Sequence, residues 1–394
     1  MAVKRGPGLY VFAALVALAL AWFGASRAGH LDRLQAKFLP KTVPPVRLSP
    51  GDFPAGVAAP VGDIASVPLR PTLIGFSPRG SAAGLLLASG GASTPEAEPL
   101  PTRPSGMFQS AYALDARAVL YPRESDIRDA LAKGAEQGGV DMAILSVDRL
   151  AHWYPSLRDA APQTVLLVGR SRGQEAFAAV GVEKVADLRG KRIAAFDQGS
   201  GYYYSLWLLS RAGLSLKDVE WVKLPSTLDA GRALREGRAD AAVGLTGDLE
   251  LAARDRGGRM LSTTVDVPHL VASVLVVRGD FAARYPDAVR RVIRGLLDSG
   301  AAVMRDPERA ARLLGEVAPY LGDPREAIKS APPATLQDNL AFFGLAGEAP
   351  VTYDELFQSS GALFVKIGEI RSVPRAEDTR DLGALKYVSE ARGP

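Results

Sequence analysis

Apolar positions along the chain fall into runs whose character changes from one end to the other. The first run, residues 9–25, is uncharged and follows Lys4 and Arg5. It is long for the core of a signal peptide and short for a membrane span. Ser26-Arg27-Ala28 places small residues where a cleavage site would need them. The favoured expectation is an uncleaved anchor with the basic end left inside the cell, and cleavage is the alternative. Prolines then crowd residues 37–71, too densely for a helix or a central strand. This predicts a semi-extended tether, or else a wrap lying on a domain surface.

From Arg70 the pattern alternates. Short apolar runs at 72–76, 116–121, 141–146 and 163–169 predict strands, as do "KRIAAF", "VEWVKLP" and "DAAVGL". Between them lie helical patterns: "AAGLLLAS", "ESDIRDALAKGAEQ", a helix after Gly199 and "TLDAGRALREG". A loop rich in Pro, Ser and Thr interrupts the series at about 91–106. Strands alternating with helices of about ten residues predict parallel sheets with right-handed crossovers, an α/β architecture. Beyond about residue 280 the spacing is helical to the end.

Two segments echo each other. "DALAKGAEQGGVDMAILS" and "GRALREGRADAAVGLT" both run from an Ala-Leu helix through Gly-x-x-Asp-x-Ala into an apolar strand. Gly138 and Gly237 suit helix ends that need positive φ, and Asp141 and Asp240 open the strands. One helix–turn–strand unit built twice implies two similar α/β lobes.

Composition narrows the function. The 394 residues suit about two compact units. Their net charge of +4 arises from 47 basic and 43 acidic residues spread along the chain. No basic stripe interleaved with aromatics appears, so nucleic acid is not an expected partner. The absence of cysteine removes disulfides, thiolate metal sites, cysteine nucleophiles and a lipidated N-terminal Cys. His30, His152 and His269 stand apart with no ligand spacing, so no metal, cofactor or catalytic residue is expected.

Residues 185–245 resemble type 2 periplasmic solute-binding proteins of ABC importers, in the branch serving nitrate, taurine, aliphatic sulfonates and thiamine precursors. The resemblance rests on Asp187-Leu188-Arg189-Gly190-Lys191 before a strand and Gly199-Ser200 opening a helix. Ala212-Gly213-Leu214 ends that helix, and Gly237-Arg238-Ala239-Asp240-Ala241 leads into the next strand. "HLVASVLVVRGDFAARYPDAVRRVIRG" is similar to the branch's return strand and following helix. The likeness extends over roughly 70–390. It implies the two-lobed periplasmic binding protein type 2 fold, and the apolar run and the prolines ahead of it predict a signal-anchor at 1–28 and a linker at 29–69. The first lobe would comprise 70–167 and a helical return at 272–394, and the second lobe 168–271. The runs Leu166-Leu167-Val168 and Val274-Leu275-Val276 would cross between the lobes. The role implied is the extracytoplasmic binding component of an ABC transporter, partnered by a permease in the inner membrane and closing on a small-molecule ligand.

In an open parallel sheet, ligands sit outside the carboxyl ends of the strands. This selects Ser77, Arg79 and Ser81 after the first strand, Ser146, Gly199, Ser200, Gly201 and Tyr202, then Thr246 and Asp248. Backbone N–H groups at the Gly199-Ser200-Gly201 turn would suit an anion, although Ser200 is equally a good N-cap. Arg79 would add a charge-assisted contact, or it is a surface-loop arginine. Asp248 points the other way, since a carboxylate in the cleft would bind an amine or pair with Arg79. Thr335, Gln337 and Asn339 resemble a cleft segment of the branch, with helix capping the favoured alternative. Among the tyrosines of "GSGYYYSLWLL", Tyr202 is expected nearest the ligand and Tyr203 is expected to stack toward Trp207. Two other functions stay open: an enzyme on the same scaffold, with Asp197 and Asp248 as local acid–base candidates, and a tethered ligand-sensing adaptor.

Overall fold

The computed structural model describes residues 67–95 and 106–391. The expected anchor and nearly all of the tether lie outside these residues. Among the described residues no helix is long and apolar enough to cross a membrane.

Among the described residues eleven strands form two sheets. In chain order they are β1 (Thr72–Phe76), β2 (Ala92–Ser93), β3 (Ala116–Leu120), β4 (Met142–Ser146), β5 (Gln163–Arg170) and β6 (Glu175–Ala179). They continue with β7 (Arg192–Ala195), β8 (Glu220–Lys223), β9 (Ala241–Leu245), β10 (Arg259–Thr263) and β11 (Ala272–Val277). The first sheet has the order β2-β3-β1-β4-β11-β5, and the second β10-β6-β9-β7-β8. In each, parallel strands form one side: β2, β3, β1 and β4 in the first, β8, β7 and β9 in the second. Two antiparallel strands complete each sheet, β11 and β5 in the first, β6 and β10 in the second. We call each sheet, with the helices packed on it, one half. The seven strands expected from the pattern, and the return strand implied by the resemblance, form close to where they were placed. The short β2 and the pair β6 and β10 were not expected.

β6 escaped because it reads Glu-Ala-Phe-Ala-Ala, an alanine-rich run with an acid at its head. Period 2 nevertheless sorts it: Phe177 and Ala179 enter one apolar cluster, Ala176 and Ala178 the other. Ile193 and Ala195 of β7 share the first cluster, and Ala194 the second. Strands covered on both faces need apolar side chains in both directions, and small ones let the covering helices approach.

The runs expected to cross between halves lie inside the first sheet. Val274 faces Leu167, and Leu275 faces Leu166, as registered partners of β11 and β5. The chain passes between sheets just beyond them, at 171–174 and 264–271. These two passages are tied together. The Ser171 and Thr264 hydroxyls lie 2.6 Å apart, and the Gly173 N–H donates to Thr264 Oγ1 at 2.9 Å.

The helices after residue 280 cover the first sheet, with one exception. Helix Tyr353–Lys366 packs Tyr353 and Phe357 into the large core of the first half. Its last turn buries Phe364 in the second half, beside Tyr203 and Leu206. It therefore straps the two halves together.

Candidate functional site

A cavity of about 380 Å³ opens between the halves. Ser77, Pro78 and Arg79 follow β1, Leu120 ends β3, and Pro122, Arg123 and Glu124 follow it. From the second half come Phe196 after β7, Pro225 to Leu228 after β8, and Leu245 at the end of β9. Gln174 enters from the crossing, and Val317 and Leu321 from the helical return. All five parallel strands named here present their carboxyl ends, the place expected for a ligand in such sheets.

The polar centre is Arg79, whose side chain is 16% exposed. Its Nε donates to Glu124 Oε1 at 3.0 Å, Nη2 binds the same oxygen, and Nη1 donates to Glu175 Oε1. The Ser200 hydroxyl also donates to Glu175 Oε1, at 2.9 Å. Burial opposes the charge on Arg79, yet attraction to the two carboxylates outweighs it and holds its pKa above the ordinary range. Burial raises the Glu124 carboxyl, and Arg79 pulls it back.

Glu175 reaches this place through topology. β6 runs antiparallel to β9, pairing Glu175 with Leu245, so its first residue stands where its parallel neighbours end. Its carboxylate takes the Arg79 donor that an anionic ligand was expected to use, and the Ser200 hydroxyl beside it. Neither Glu124 nor Glu175 was among the expected site residues. Glu124 was read as a helix start, and Glu175 heads the strand that was not expected.

Several buried atoms of this region find no hydrogen-bond partner among the described residues: Glu124 Oε2, Glu175 Oε2, Ser146 Oγ, Asp148 Oδ1 and Arg149 Nη2. Such atoms are rare in folded interiors. Ser146, Asp148 and Arg149 stand at the carboxyl end of β4 and the start of helix Val147–Leu157. The charges of Asp148 and Arg149 both act on Glu124.

The other expected residues have structural partners. Ser81 Oγ donates to Ser273 at 3.2 Å. Gly199 is the N-cap of helix Ser200–Arg211 in extended backbone. A Cβ there would lie 3.2 Å from Phe196 and 3.3 Å from Thr227, both cavity residues. A Cβ on Gly201 would instead meet Val243. Thr246 donates to the Gly173 carbonyl and so fastens the crossing. Asp248 accepts from the Gly231 N–H at 2.9 Å at the start of helix Ala230–Arg235, and lies outside the cavity lining. Asp197 pairs with Lys223 at 3.0 Å. Thr335 caps its helix, and Asn339 bonds the backbone of Leu167.

Tyr202 also lies outside the cavity lining. Its hydroxyl donates to Glu369 Oε1 at 2.7 Å, and its ring meets Trp221 edge-on. Glu369, just past the strap helix, also lies 2.9 Å from His152 Nε2. Burial tends to raise the Glu369 pKa, but the hydrogen bonds from His152 and Tyr202 win and lower it. Tyr203 packs on Phe364, with ring centroids 6.1 Å apart, rather than forming the expected stack toward Trp207; burial pushes its phenol up to about 12. Tyr204 donates to Ser262 at 2.7 Å. Among the described residues no group of acidic, His or Cys side chains is placed to hold a metal.

Residues 172–310 match the family model described as NMT1/THI5 like. No curated protein matches the chain by sequence. Among solved structures, the periplasmic aliphatic sulphonate binding protein SsuA of Escherichia coli is similar, with a TM-score of 0.62 and 18% identity. That match covers 79% of this chain and 92% of the other. The alkanesulfonate-binding SsuA of Xanthomonas axonopodis pv. citri, bound to MOPS, matches with a TM-score of 0.57 and 20% identity, over 79% and 96% of the two chains. The periplasmic nitrate-binding protein NrtA of Synechocystis PCC 6803 matches with a TM-score of 0.59 and 13% identity, over 82% and 89%. The chain thus has the mixed α/β fold of the periplasmic binding proteins, as the resemblance of residues 185–245 implied.

Proposed function

We propose that this protein is the substrate-binding component of an ABC importer, capturing a small organic solute between its two halves by hinge closure. One observation carries the reading: a single cavity is lined by the carboxyl ends of strands from both sheets. A ligand there would touch both halves at once, so binding favours the closed arrangement by the difference in affinity between the two states. The division into lobes would fall at the crossings 171–174 and 264–271. Ser77, Arg79, Glu124, Gln174 and Phe196 are the residues expected to face the solute. No chemistry on the solute is required. The apolar run 9–25 would carry the domain to the periplasm and, if retained, hold it at the inner membrane beside its permease.

A thermal-shift screen of sulfonates, nitrate, amines and pyrimidines on the purified protein tests the binding role. A specific solute should raise the melting temperature and reduce the radius of gyration in solution scattering. A compound that the protein consumes would instead favour an enzyme. Intact mass tests the anchor, since loss of the first 28 residues would refute it.

A further inference from the structure

The geometry points to Glu175 as the residue that sets the charge of the solute: the cleft takes a molecule with an ammonium head and an apolar body. This rests on the reading of the cavity as a solute site. The head would lie against the free carboxylate oxygens of Glu124 and Glu175, the body against Leu120, Phe196, Leu245 and Val317.

An anion at this position would compete with the protein itself. The side-chain donors at this point are already engaged. All three nitrogens of Arg79 bond Glu124 or Glu175, and Ser200 Oγ bonds Glu175. One guanidinium faces two carboxylates, so the buried group carries an excess of negative charge. An incoming sulfonate or nitrate would have to displace Glu175 from Arg79 and from the Ser200 hydroxyl.

What remains open at Glu124 and Glu175 is acceptor capacity. Glu124 is 8% exposed and lines the cavity, and Glu175 is 2% exposed. The Oε2 atom of each is buried without a partner among the described residues. Ionised carboxylates only accept, and an ammonium only donates, up to three bonds. A cation here would satisfy both oxygens with charge-assisted bonds, the strong class. The burial that raises the Glu124 pKa acts in the opposite sense to such a cation, so amine binding would draw Glu124 toward its ionised form.

The cavity wall supplies the second half of the description. Leu120, Phe196, Leu245, Val317 and Leu321 line the same cavity as Arg79 and Glu124, and a lining of this kind both receives an apolar body and strengthens the ion pairs beside it.

The test compares 2-phenylethylamine with 2-phenylethanesulfonate, a pair matched in body and opposite in charge, by calorimetric titration of the full chain. Wild type should bind the amine at least ten-fold tighter than the sulfonate. Glu175→Gln should lower that ratio at least ten-fold by removing one carboxylate and releasing an Arg79 donor. Glu124→Gln serves as a second variant if the first folds poorly. Tighter binding of the sulfonate by wild type would overturn the charge assignment while leaving the solute-binding role standing. An unchanged ratio in a folded Glu175→Gln protein would overturn the role of Glu175. Binding of neither compound by wild type would overturn the assigned solute class, and the binding role would then depend on the broader thermal-shift screen.

Discussion

The two halves are built to one plan and differ in their cover. Each has parallel strands on one side, a central strand that opens with aspartate, and two antiparallel strands beyond it. The aspartates do the same work. The Asp141 N–H donates to the Leu73 carbonyl, its carboxylate accepts from the Leu73 N–H at 3.0 Å, and Arg70 grips it with two bonds of 2.7 Å. The Asp240 N–H donates to the Arg192 carbonyl, and its carboxylate accepts from the Arg192 N–H and Nη2, each at 2.9 Å. Yet the Asp141 side chain is 2% exposed and that of Asp240 30%. The helical return covers the first sheet, whereas β8 and β10 of the second stay partly open. One local unit therefore differs in energetic weight according to what lies over it.

The second half borrows part of its core from the strap helix, and this gives the largest expected effect. Phe364 is fully buried and stacks on His152, with centroids 4.3 Å apart. Phe364→Ala should cost about 3–5 kcal/mol in denaturant unfolding, as other large-to-small core changes do. A loss below about 1 kcal/mol would mean that the second half stands without the strap.

The aspartate pair comes next. Asp141→Ala removes a buried carboxylate from Arg70 and the Leu73 N–H and should cost about 3 kcal/mol. Asp240→Ala, where the carboxylate itself is wetter, should cost about 1 kcal/mol. Equal losses would show that cover does not set their weight.

The glycines of the echo should show no such asymmetry. Gly138 has φ +79° and Gly237 φ +71°, a left-handed conformation that disfavours any side chain. Gly138→Ala and Gly237→Ala should each cost about 1 kcal/mol, measured by thermal unfolding. A much larger loss at Gly237 would point to the Arg256 guanidinium, whose Nη1 would lie 2.8 Å from an added Cβ.

The smallest effect concerns pH. Hydrogen bonds from His152 and Tyr202 lower the Glu369 pKa against burial. A depressed carboxylate contributes stability that is full above its unfolded pKa, ordinarily about 4.5, and is lost as pH falls through its folded value. Wild type should lose stability across that acid range with a steeper slope than Glu369→Gln. Identical slopes would remove this contact from the ties between halves.

Much of the α/β plan was legible in the chain because its signals are short-range. β4 and β9 showed themselves as apolar runs after a glycine turn, and the helix at Ser200 began where its Gly-Ser pair placed it. The site was legible only as a place. Ser77 and Arg79 were expected from the rule about strand ends, and they line the cavity. Glu124 and Glu175 were not, since an acid at a helix start and an acid heading an alanine-rich strand have ordinary local explanations. Tyr202 shows the converse: its first-turn position favoured the ligand, but a glutamate far along the chain receives its hydroxyl.

By itself, then, the sequence determined the order of most strands and helices, the repeated glycine–aspartate unit and the family of folds. Period, capping and positive φ depend on neighbours a few residues apart. Only the tertiary structure decided which donor meets which acceptor. The antiparallel course of β6 carries Glu175 to Arg79, and the strap carries Glu369 to Tyr202. Those pairings follow from packing across the whole chain, and no local pattern encodes them.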